Sequence, residues 1–541
     1  MKIAVYTSCA LNYYAKARAL VDSIHRNSPN TSVTLCLCDE PLDDCVPLEQ
    51  GFDRLWLPRD LGYDRAWIFQ HNIMELCTGV KGRALQRLME EEPDADLFVY
   101  LDPDVYVYND LSVVDKYLGT ASIGLVPHIL TVETSDIGVK MTEMSVTEHG
   151  IYNLGHLFVR PDENGRALAK WWAERLDRYC FDDKTIGLFT DQRWMDLVPA
   201  VFEGVKILRQ PNLDVASWNV GGRDIQQKEA SNECSFEVNA WPLVTYHFSG
   251  TGPTGTHRRV REIFDPSGGA TAEIERHYEE AIAQRGQKRL EAVPPAYDFF
   301  DDGEKIPAEA RKIYRLHEEL QRAFPDPYET HNSHRFIDWI REHRPGLLRG
   351  LCLSERQLEV AFDHLFDTKY YLARYPEAEA ALDEGRYESA VEHYIHEGSD
   401  LLFDPCEFFI SRYYIEQAKY LEGFRLRALP RSKRSTVLWH YLAIGLPQGK
   451  EPIELFDSQF YLEKNNDISR AVRIGTVSTP LAHFMRHGAK ENRQPSAAID
   501  LKGLLKQDPS LAKIIAETGV RGVFGHLLAS GRILGRGLAA K

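Results

Sequence analysis

The first hundred residues alternate short apolar runs with stretches of helical periodicity, and this alternation constrains the fold more than any other feature. Apolar runs at residues 3–7, 33–38 and 97–101 predict strands. Residues 15–25 and 68–89 have helical spacing, with Gly79 and Gly82 as candidate breaks in the second stretch. The β-α-β-α-β order predicts a mostly parallel sheet covered by helices, in which ligands bind at the carboxyl ends of the strands.

The 541 residues are enough for two or three larger units. We predict an α/β domain over residues 1–293, followed by a proline-rich and charged helical extension and linker over residues 294–350. Residues 351–541 are predicted to form an α-helical repeat domain of about four units of 43–47 residues.

The repeats are defined by a histidine, an aromatic or aliphatic pair and a glycine a few residues later. The histidines are His393, His440, His483 and, in a weaker copy, His526. Units of this length predict stacked helices that share one core. We expect each histidine to pack in the same way and to bond backbone at a helix end, an interpretation favoured over metal ligation.

Composition excludes several classes of protein. The 43% hydrophobic and 27% charged residues are typical of a soluble protein, and no apolar run is long enough to span a membrane. The net charge of -16 argues against a general nucleic-acid binder. Nine cysteines without a CxxC pair favour reduced thiols over a zinc site.

The two ends of the chain bear on its location. The sequence opens directly with a predicted strand and has no charged leader, so we expect a cytoplasmic protein. Residues 501–541 are basic with apolar faces, which fits either a capping repeat or contact with anionic lipid. The second alternative would place the protein peripherally on the inner face of the plasma membrane, through its repeats.

The strongest local signal is an apolar strand that ends in Asp102-Pro103-Asp104. Pro103 favours an extended conformation at Asp102, which holds two carboxylates together at a strand end. Hard divalent cations such as Mn²⁺ or Mg²⁺ bind such oxygens and retain free positions for phosphate. A turn stabilised by aspartates is the structural alternative.

Three later segments combine polar groups with strands or helices. Asn153 and Gly155 open an apolar strand, where the amide can bond sugar hydroxyls and the glycine permits close approach. Asp191-Gln192 precedes a helix-like run, and a strand ends at His247 with Gly250 three residues later.

Taken in order, these four elements resemble the glycosyltransferase family 8 group with the GT-A fold, over roughly residues 1–265. The resemblance implies retaining transfer from a nucleotide sugar, usually with manganese, and magnesium as the alternative. It implies that Asp102, Asp104 and His247 are the metal ligands. Their types suit Mn²⁺.

The resemblance also implies roles for other residues. Lys81 corresponds to a basic residue that reaches the donor, and Asn153, Gly155 and Gly250 belong to the donor site. Asp191 would bond donor hydroxyls, and the carbonyl of Gln192 would stabilise positive charge at the anomeric carbon. A dissociative route is preferred over a covalent one through Asp191.

The nucleotide base is less well specified. The family often has an aspartate just after the first strand, but residues 7–12 contain no acid. Thr7 and Asp39, at the ends of the first two strands, are therefore the candidate nucleotide contacts. Uridine is the default base.

With its C-terminal repeats the chain also resembles a bacterial branch of such enzymes. This resemblance implies a glycosyltransferase of surface polysaccharide synthesis, with a glycan or lipid-linked oligosaccharide as acceptor. One alternative is a sugar nucleotidyltransferase, which needs a glycine-rich basic loop after the first strand that residues 7–12 lack. The other is a non-catalytic scaffold whose repeats bind partner proteins, and an active enzyme could also recruit partners in this way.

Overall fold

A computed structural model describes most of the chain, and its contacts divide the chain into two compact units. The first unit is Met1–Ile306 with Tyr314–Thr330, and the second is Pro307–Ile313 with His331–Lys541. No helix among the described residues is long and apolar enough to cross a membrane. The described residues are 1–41, 51–228, 235–252, 254–344, 351–418, 431–473, 475–491, 493–497, 509–511 and 513–514.

The first unit is built on a seven-stranded sheet in the order β10-β6-β7-β4-β1-β2-β3. Only β7 runs antiparallel to its neighbours β4 and β6, and the other pairs are parallel. The strands of the unit are β1 Ile3–Cys9, β2 Thr31–Leu37, β3 Arg54–Trp56, β4 Leu97–Leu101, β5 Val105–Val107, β6 Ile123–Pro127, β7 Tyr152–Val159, β8 Asp182–Asp183, β9 Leu188–Phe189, β10 Val205–Ile207, β11 Val215–Ala216, β12 Ile225–Lys228, β13 Ser235–Val238, β14 Trp241–Pro242 and β15 Thr245–His247.

The helix α1 Tyr14–Asn27 packs on this sheet through an apolar face. Residues of α1 such as Leu20 and Ile24 join Val5 and Val99 of the strands in one buried core. The helices of the unit are α1 Tyr14–Asn27, α2 Arg65–Phe69, α3 Ile73–Gly79, α4 Lys81–Glu91, α5 Val113–Leu118, α6 Asp136–Gly138, α7 Met144–His149, α8 Glu163–Tyr179, α9 Val198–Val201, α10 Thr256–Phe264, α11 Gly269–Ala283, α12 Gln287–Leu290 and α14 Glu318–Ala323. The helix α13 Ala308–Leu316 is divided, since residues 308–313 belong to the second unit.

The stretch predicted as one helix over residues 68–89 is divided among α2, α3 and α4. A capping box of Asn72 and Glu75 starts α3, and the chain breaks after Gly79 as expected. The break predicted at Gly82 is wrong, because Gly82 lies inside α4. A Cβ at Gly82 would lie 2.5 Å from the Ala173 Cα, so this glycine lets α4 pack closely on α8.

A second sheet, β11-β15-β5, lies next to the strand end that carries the two aspartates. Strand β15 pairs antiparallel with β5 and parallel with β11. Strands β12, β13 and β14 form a separate antiparallel sheet. The arrangement confirms the predicted mixed α/β class with a parallel-rich sheet.

The second unit is helical, as predicted for the region after the α/β part. The helix Glu355–Leu365 begins at Ser354, whose side chain caps the first turn. The remaining helices are Phe336–His343, Thr368–Arg374, Pro376–Asp383, Ala390–His393, Ser411–Ala418, Val437–His440, Ser458–Lys464, Asn466–Arg473 and Pro480–His483. The helices from Glu355–Leu365 onward contribute buried residues to a single core.

Each described repeat places a π-helical turn directly after its histidine, and the histidine Nδ1 forms a hydrogen bond with a tyrosine hydroxyl. The Tyr371 hydroxyl lies 2.9 Å from His393 Nδ1, and the Tyr414–His440 and Tyr461–His483 distances are 2.7 and 2.9 Å. The prediction that the histidine ring bonds to backbone is therefore wrong for Nδ1, whose partner is a tyrosine hydroxyl. Burial lowers the pKa of His440 to about 4, so this ring is neutral and can accept the bond.

The repeat glycine makes room for that tyrosine. A Cβ at Gly398 would collide with the Tyr371 hydroxyl, and Gly445 and Gly488 stand in the same relation to Tyr414 and Tyr461. The histidine, the tyrosine and the glycine are thus three parts of one packing unit. The weaker fourth copy at His526, and most of the basic stretch 501–541, lie outside the described residues.

Candidate functional site

The Asp-Pro-Asp segment forms the turn between β4 and β5. The Asp102 N–H donates to Gly155 O of β7 at 3.0 Å, and the Val105 N–H donates back to Asp102 O at 3.0 Å. Asp104 is 6% exposed, whereas the side chain of Asp102 is 28% exposed. The turn therefore fixes the backbone of both aspartates and leaves one carboxylate partly open to solvent.

His247 reaches the same point because β15 pairs with β5. Its register partner is Val105, which directly follows Asp104. Its Nε2 atom lies 3.2 Å from Asp104 Oδ1 and 3.7 Å from Asp102 Oδ2. One potential ligand atom from each of these three residues lies within 4.8 Å of the others, so the structure brings the predicted ligand set together.

Buried carboxylates control the charge of His247. Burial opposes its protonation, but hydrogen bonds with Asp104 and Asp214 raise its pKa to about 10. Burial likewise opposes ionisation of Asp104, whereas its bond with His247 lowers its pKa to about 2. A cation held at Nε2 would displace the proton there.

Asp214 and His156 belong to this network and were missed by sequence reasoning. Asp214 Oδ1 lies 3.3 Å from Nδ1 of both His247 and His156, and all three side chains are buried. A bond from Nδ1 to Asp214 leaves Nε2 of His247 facing the aspartate pair. A polar His156 in an otherwise apolar strand was the available signal, whereas nothing local marks Asp214.

Asn153 and Gly155 support His247 from β7. The Asn153 Nδ2 atom lies 3.2 Å from His247 Nδ1 and 3.4 Å from Asp214 Oδ1. A Cβ at Gly155 would lie 2.5 Å from His247 Cε1. Gly155 is therefore required for the position of the histidine ring, and the Asn153 amide is directed toward the same network.

Lys81 lies behind the aspartates at the start of α4. Its Nζ is 2.9 Å from Asp191 Oδ2 and 3.4 Å from Asp102 Oδ1, and it donates to Leu154 O at 3.2 Å. Burial disfavours the ammonium, but Asp102 and Asp191 raise its pKa. The Tyr100 hydroxyl donates to the same Asp102 oxygen at 2.8 Å. Lys81 thus links Asp191 to the Asp-Pro-Asp turn.

Asp191 and Gln192 are held differently. Asp191 is 2% exposed and follows Thr190, which has a left-handed φ of 43°. Both ends of the Gln192 amide bond to backbone: Oε1 accepts from the Leu154 N–H at 3.1 Å and Nε2 donates to His149 O at 3.2 Å. Gln192 faces a cavity, whereas Asp191 is committed to an ion pair.

The two candidate base contacts lie in the interior. Thr7 is fully buried in β1. Asp39 is 1% exposed, and its carboxylate accepts from the backbone N–H groups of Leu11, Glu40 and Ala296. Asp39 therefore connects distant segments of the first unit.

Two cavities flank the Asp102–His247 pair. One, of about 380 Å³, contains Asn153, Gln192, Gly250, Trp218 and residues of α7. The other, of about 360 Å³, lies at the carboxyl end of β1 and contains Ser8, Tyr13, Tyr100 and Asp104. Asp102, His247 and Ser249 line both cavities.

Comparisons with known proteins give relatives over only part of the chain. No protein-family model matches it. The uncharacterized proteins YfnF and YfnD of Bacillus subtilis (strain 168) are each 26% identical, over 176 and 182 residues. These matches cover 32% of the chain and 56% and 53% of the relatives. The chain therefore spans about half the length of the curated relatives it matches.

Solved structures of transferases are also similar, at low scores. A structure of the galactosyltransferase LgtC with donor and acceptor sugar analogs has 17% identity and a TM-score of 0.31, covering 54% of this chain and 97% of that one. GlyE of Streptococcus pneumoniae TIGR4 has 12% identity and a TM-score of 0.28, covering 56% and 67%. Scores in this range establish neither a shared fold nor shared chemistry, so function is inferred from the residues of the site.

Proposed function

We propose that the first unit is a metal-dependent glycosyltransferase that moves a sugar from a nucleotide diphosphate donor to a glycan or lipid-linked acceptor. The observation that carries the proposal is the meeting of Asp102, Asp104 and His247 between two cavities. A transferase brings two substrates together at one reacting centre, and both cavities share Asp102 and His247.

The three side chains fit a divalent cation such as Mn²⁺ or Mg²⁺. Two carboxylates and one imidazole are suitable ligands, and their atoms already converge. When bound, the cation would supply positive charge to the donor diphosphate. Asp214 would then retain the proton on His247 Nδ1, which keeps Nε2 available.

We assign the nucleotide to the cavity at the end of β1, since nucleotides bind at the carboxyl ends of strands in open α/β sheets. The Tyr13 ring and the Met74 side chain offer apolar surface to a base there. Ser8 and Asn12 provide polar groups for hydroxyls. The default donor class is a uridine diphosphate sugar.

We assign the acceptor to the cavity beside α7. Trp218 offers a ring on which a sugar can pack, and its Nε1 is held by His128 O at 3.1 Å. The segment 129–149 contributes Met141, Ser145 and His149 to the lining.

The surroundings of Asp191 favour the dissociative route over a covalent one. Its carboxylate is buried against Lys81, and it lines neither cavity. Gln192 lines the acceptor-side cavity with a fixed amide, which is suited to hold a sugar in place. The acceptor hydroxyl would then attack the anomeric carbon on the face that the diphosphate leaves, with retention of configuration, and the departing diphosphate would take the hydroxyl proton.

Thermal-shift measurements with UDP, GDP and CMP, each with and without Mn²⁺, test the proposal. A ligand at one hundred times its Kd stabilises its site by about 2.7 kcal/mol. We expect a metal-dependent shift with one nucleotide, most simply UDP, that is lost in Asp104→Ala.

The control is Asp115→Ala, which removes an exposed carboxylate on α5 whose partner is Arg160. This variant should keep the nucleotide shift. An absence of any nucleotide shift in the wild type would overturn the proposal. Synthesis of a bacterial surface polysaccharide, at the cytoplasmic face of the membrane, is the pathway and place that we propose for this activity.

A further inference from the structure

The second unit contains a cavity of about 490 Å³ between two consecutive repeats. It lies where the chain leaves one repeat at Glu451 and starts the next at Ser458. Ligand cavities in proteins have volumes of about 300–1,000 Å³, so this one is large enough for a small molecule or a chain segment.

Three residues that line this cavity each have a buried polar atom without a hydrogen-bond partner among the described residues: Glu451 Oε2, Ser458 Oγ and Ser496 Oγ. Ser458 and Ser496 are only 3% and 4% exposed. The hydroxyls of Ser458 and Tyr441 are near enough to Glu451 to lower its pKa in part, without a hydrogen bond of normal geometry. Buried polar atoms are normally paired, so these atoms indicate a missing partner.

The preceding repeat shows that this arrangement is not required by packing. Asp404 and Ser411 occupy the positions of Glu451 and Ser458 there. In both repeats the serine N–H donates to the acid, at 2.7 and 2.8 Å. The Ser411 hydroxyl, however, donates to Phe403 O at 2.8 Å. The same serine hydroxyl therefore bonds to backbone in one repeat, whereas in the next it is buried beside the acid without a hydrogen bond of normal geometry.

The lining determines what could bind. Among the described residues that line it, the charged ones are the acids Glu451, Glu454 and Asp457, and none is a lysine or arginine, which disfavours phosphates and acidic sugars. Burial raises the pKa of Glu451 to about 8, so its carboxyl group can donate as well as accept. No metal-ligand cluster converges here in the part of the chain that the structure describes.

Amide and aromatic side chains complete the cavity. Gln417, Gln448 and Gln459 offer both donors and acceptors, and Tyr413 and Phe456 offer ring surface. Paired donors and acceptors next to a ring are suited to the hydroxyl edges and the apolar face of a sugar.

We infer that this cavity between the repeats is a non-catalytic binding site for an uncharged saccharide. The inference is independent of the proposed transfer reaction, because all of its residues belong to the second unit. It would give the repeats a role in holding glycan.

Saturation-transfer NMR on the full chain tests the inference. The probes are three neutral trisaccharides (cellotriose, maltotriose and chitotriose), with the anionic trigalacturonate for comparison. We expect transfer to at least one neutral probe in both the wild type and Asp104→Ala, since the latter changes only the first unit.

Two variants locate the binding. Ser458→Ala and Ser496→Ala should each weaken it by about tenfold, because each removes one hydrogen bond to the ligand. Ser411→Ala is the matched control and should bind normally, although it loses an internal bond. Gln459 is exposed and lines the same cavity. Gln459→Ala should therefore also weaken binding, and it provides a second test if a serine variant folds poorly.

The inference is overturned if no neutral trisaccharide binds at millimolar concentration, or if trigalacturonate binds as well as they do. It is also overturned if binding is lost in Asp104→Ala but kept in Ser458→Ala, Ser496→Ala and Gln459→Ala, which would place the saccharide in the first unit. Failure of nucleotide binding alone would affect only the proposed transferase activity.

Discussion

Lys81 Nζ lies 2.9 Å from Asp191 Oδ2, and both side chains are only 3% exposed. The same ammonium is 3.4 Å from Asp102, so it connects the Asp191-Gln192 segment with the Asp-Pro-Asp turn. A buried ion pair of this kind makes each partner dependent on the other.

Replacing Lys81 alone should therefore lower the free energy of unfolding more than replacing both Lys81 and Asp191. Lys81→Met leaves an uncompensated carboxylate, and we expect a loss of about 3–5 kcal/mol in the free energy of unfolding. Adding Asp191→Asn should recover much of this loss. Urea denaturation of the two single variants and the double variant measures the coupling, and additive losses would contradict the pairing.

Substitution of Gly155 should disable the metal site without unfolding the sheet. In Gly155→Ala the new Cβ would lie 2.5 Å from His247 Cε1, so the ring has to move. We expect a stability loss of about 1–3 kcal/mol and loss of the Mn²⁺-dependent nucleotide shift. Gly303→Asn is a control in open space with φ +85°, and should retain the shift.

The tyrosine, histidine and glycine of one repeat should behave as a coupled set. Tyr371→Phe removes the hydroxyl that is hydrogen-bonded to His393 and should cost about 1 kcal/mol. Gly398→Ala should cost more in the wild type than in the Tyr371→Phe background, because its Cβ collides with the Tyr371 hydroxyl. A thermal double-mutant cycle measures this, with Tyr370→Phe as the neighbouring control. Equal costs in both backgrounds would contradict the model of the repeat.

Glu451 should make the stability of the second unit depend on pH. Burial raises its pKa from 4.5 to about 8, so the folded state keeps a proton that the unfolded state releases. Its contribution is thus fully present below about pH 4.5 and is lost as the pH rises through about 8. Compared with Glu451→Gln, the wild type should lose stability between about pH 5 and about pH 9. Urea midpoints of both proteins at several pH values measure this difference, which would be constant if the carboxyl group were exposed.

Much of the fold could be predicted because it depends on local patterns. The apolar run at Leu97–Leu101 became β4 with the predicted bounds, since a buried strand next to a proline turn leaves few alternatives. The meeting of Asp102 with His247 was expected from motif order. The register of β15 on β5, which brings it about, is a non-local property.

The remaining features depend on contacts between distant parts of the chain. Asp39 could not be recognised as buried, because its partner Ala296 is far away in sequence. The link between Asp214 and His156 is equally non-local. In the repeats, the periodicity located the histidines, but their tyrosine partners precede them by 22 to 26 residues.

The close contact of Gly82 with Ala173 has a consequence for tolerance to mutation. Lys81 is the first residue of α4 and Gly82 the second. The backbone of α8 at Ala173 therefore limits how closely the first turn of α4, which carries the ammonium, can approach. A bulkier residue at position 173 would act as a wedge and shift Lys81 relative to Asp102 and Asp191. The packing of α8 against Gly82 therefore helps to set the position of the Lys81 ammonium, which is carried by a different helix.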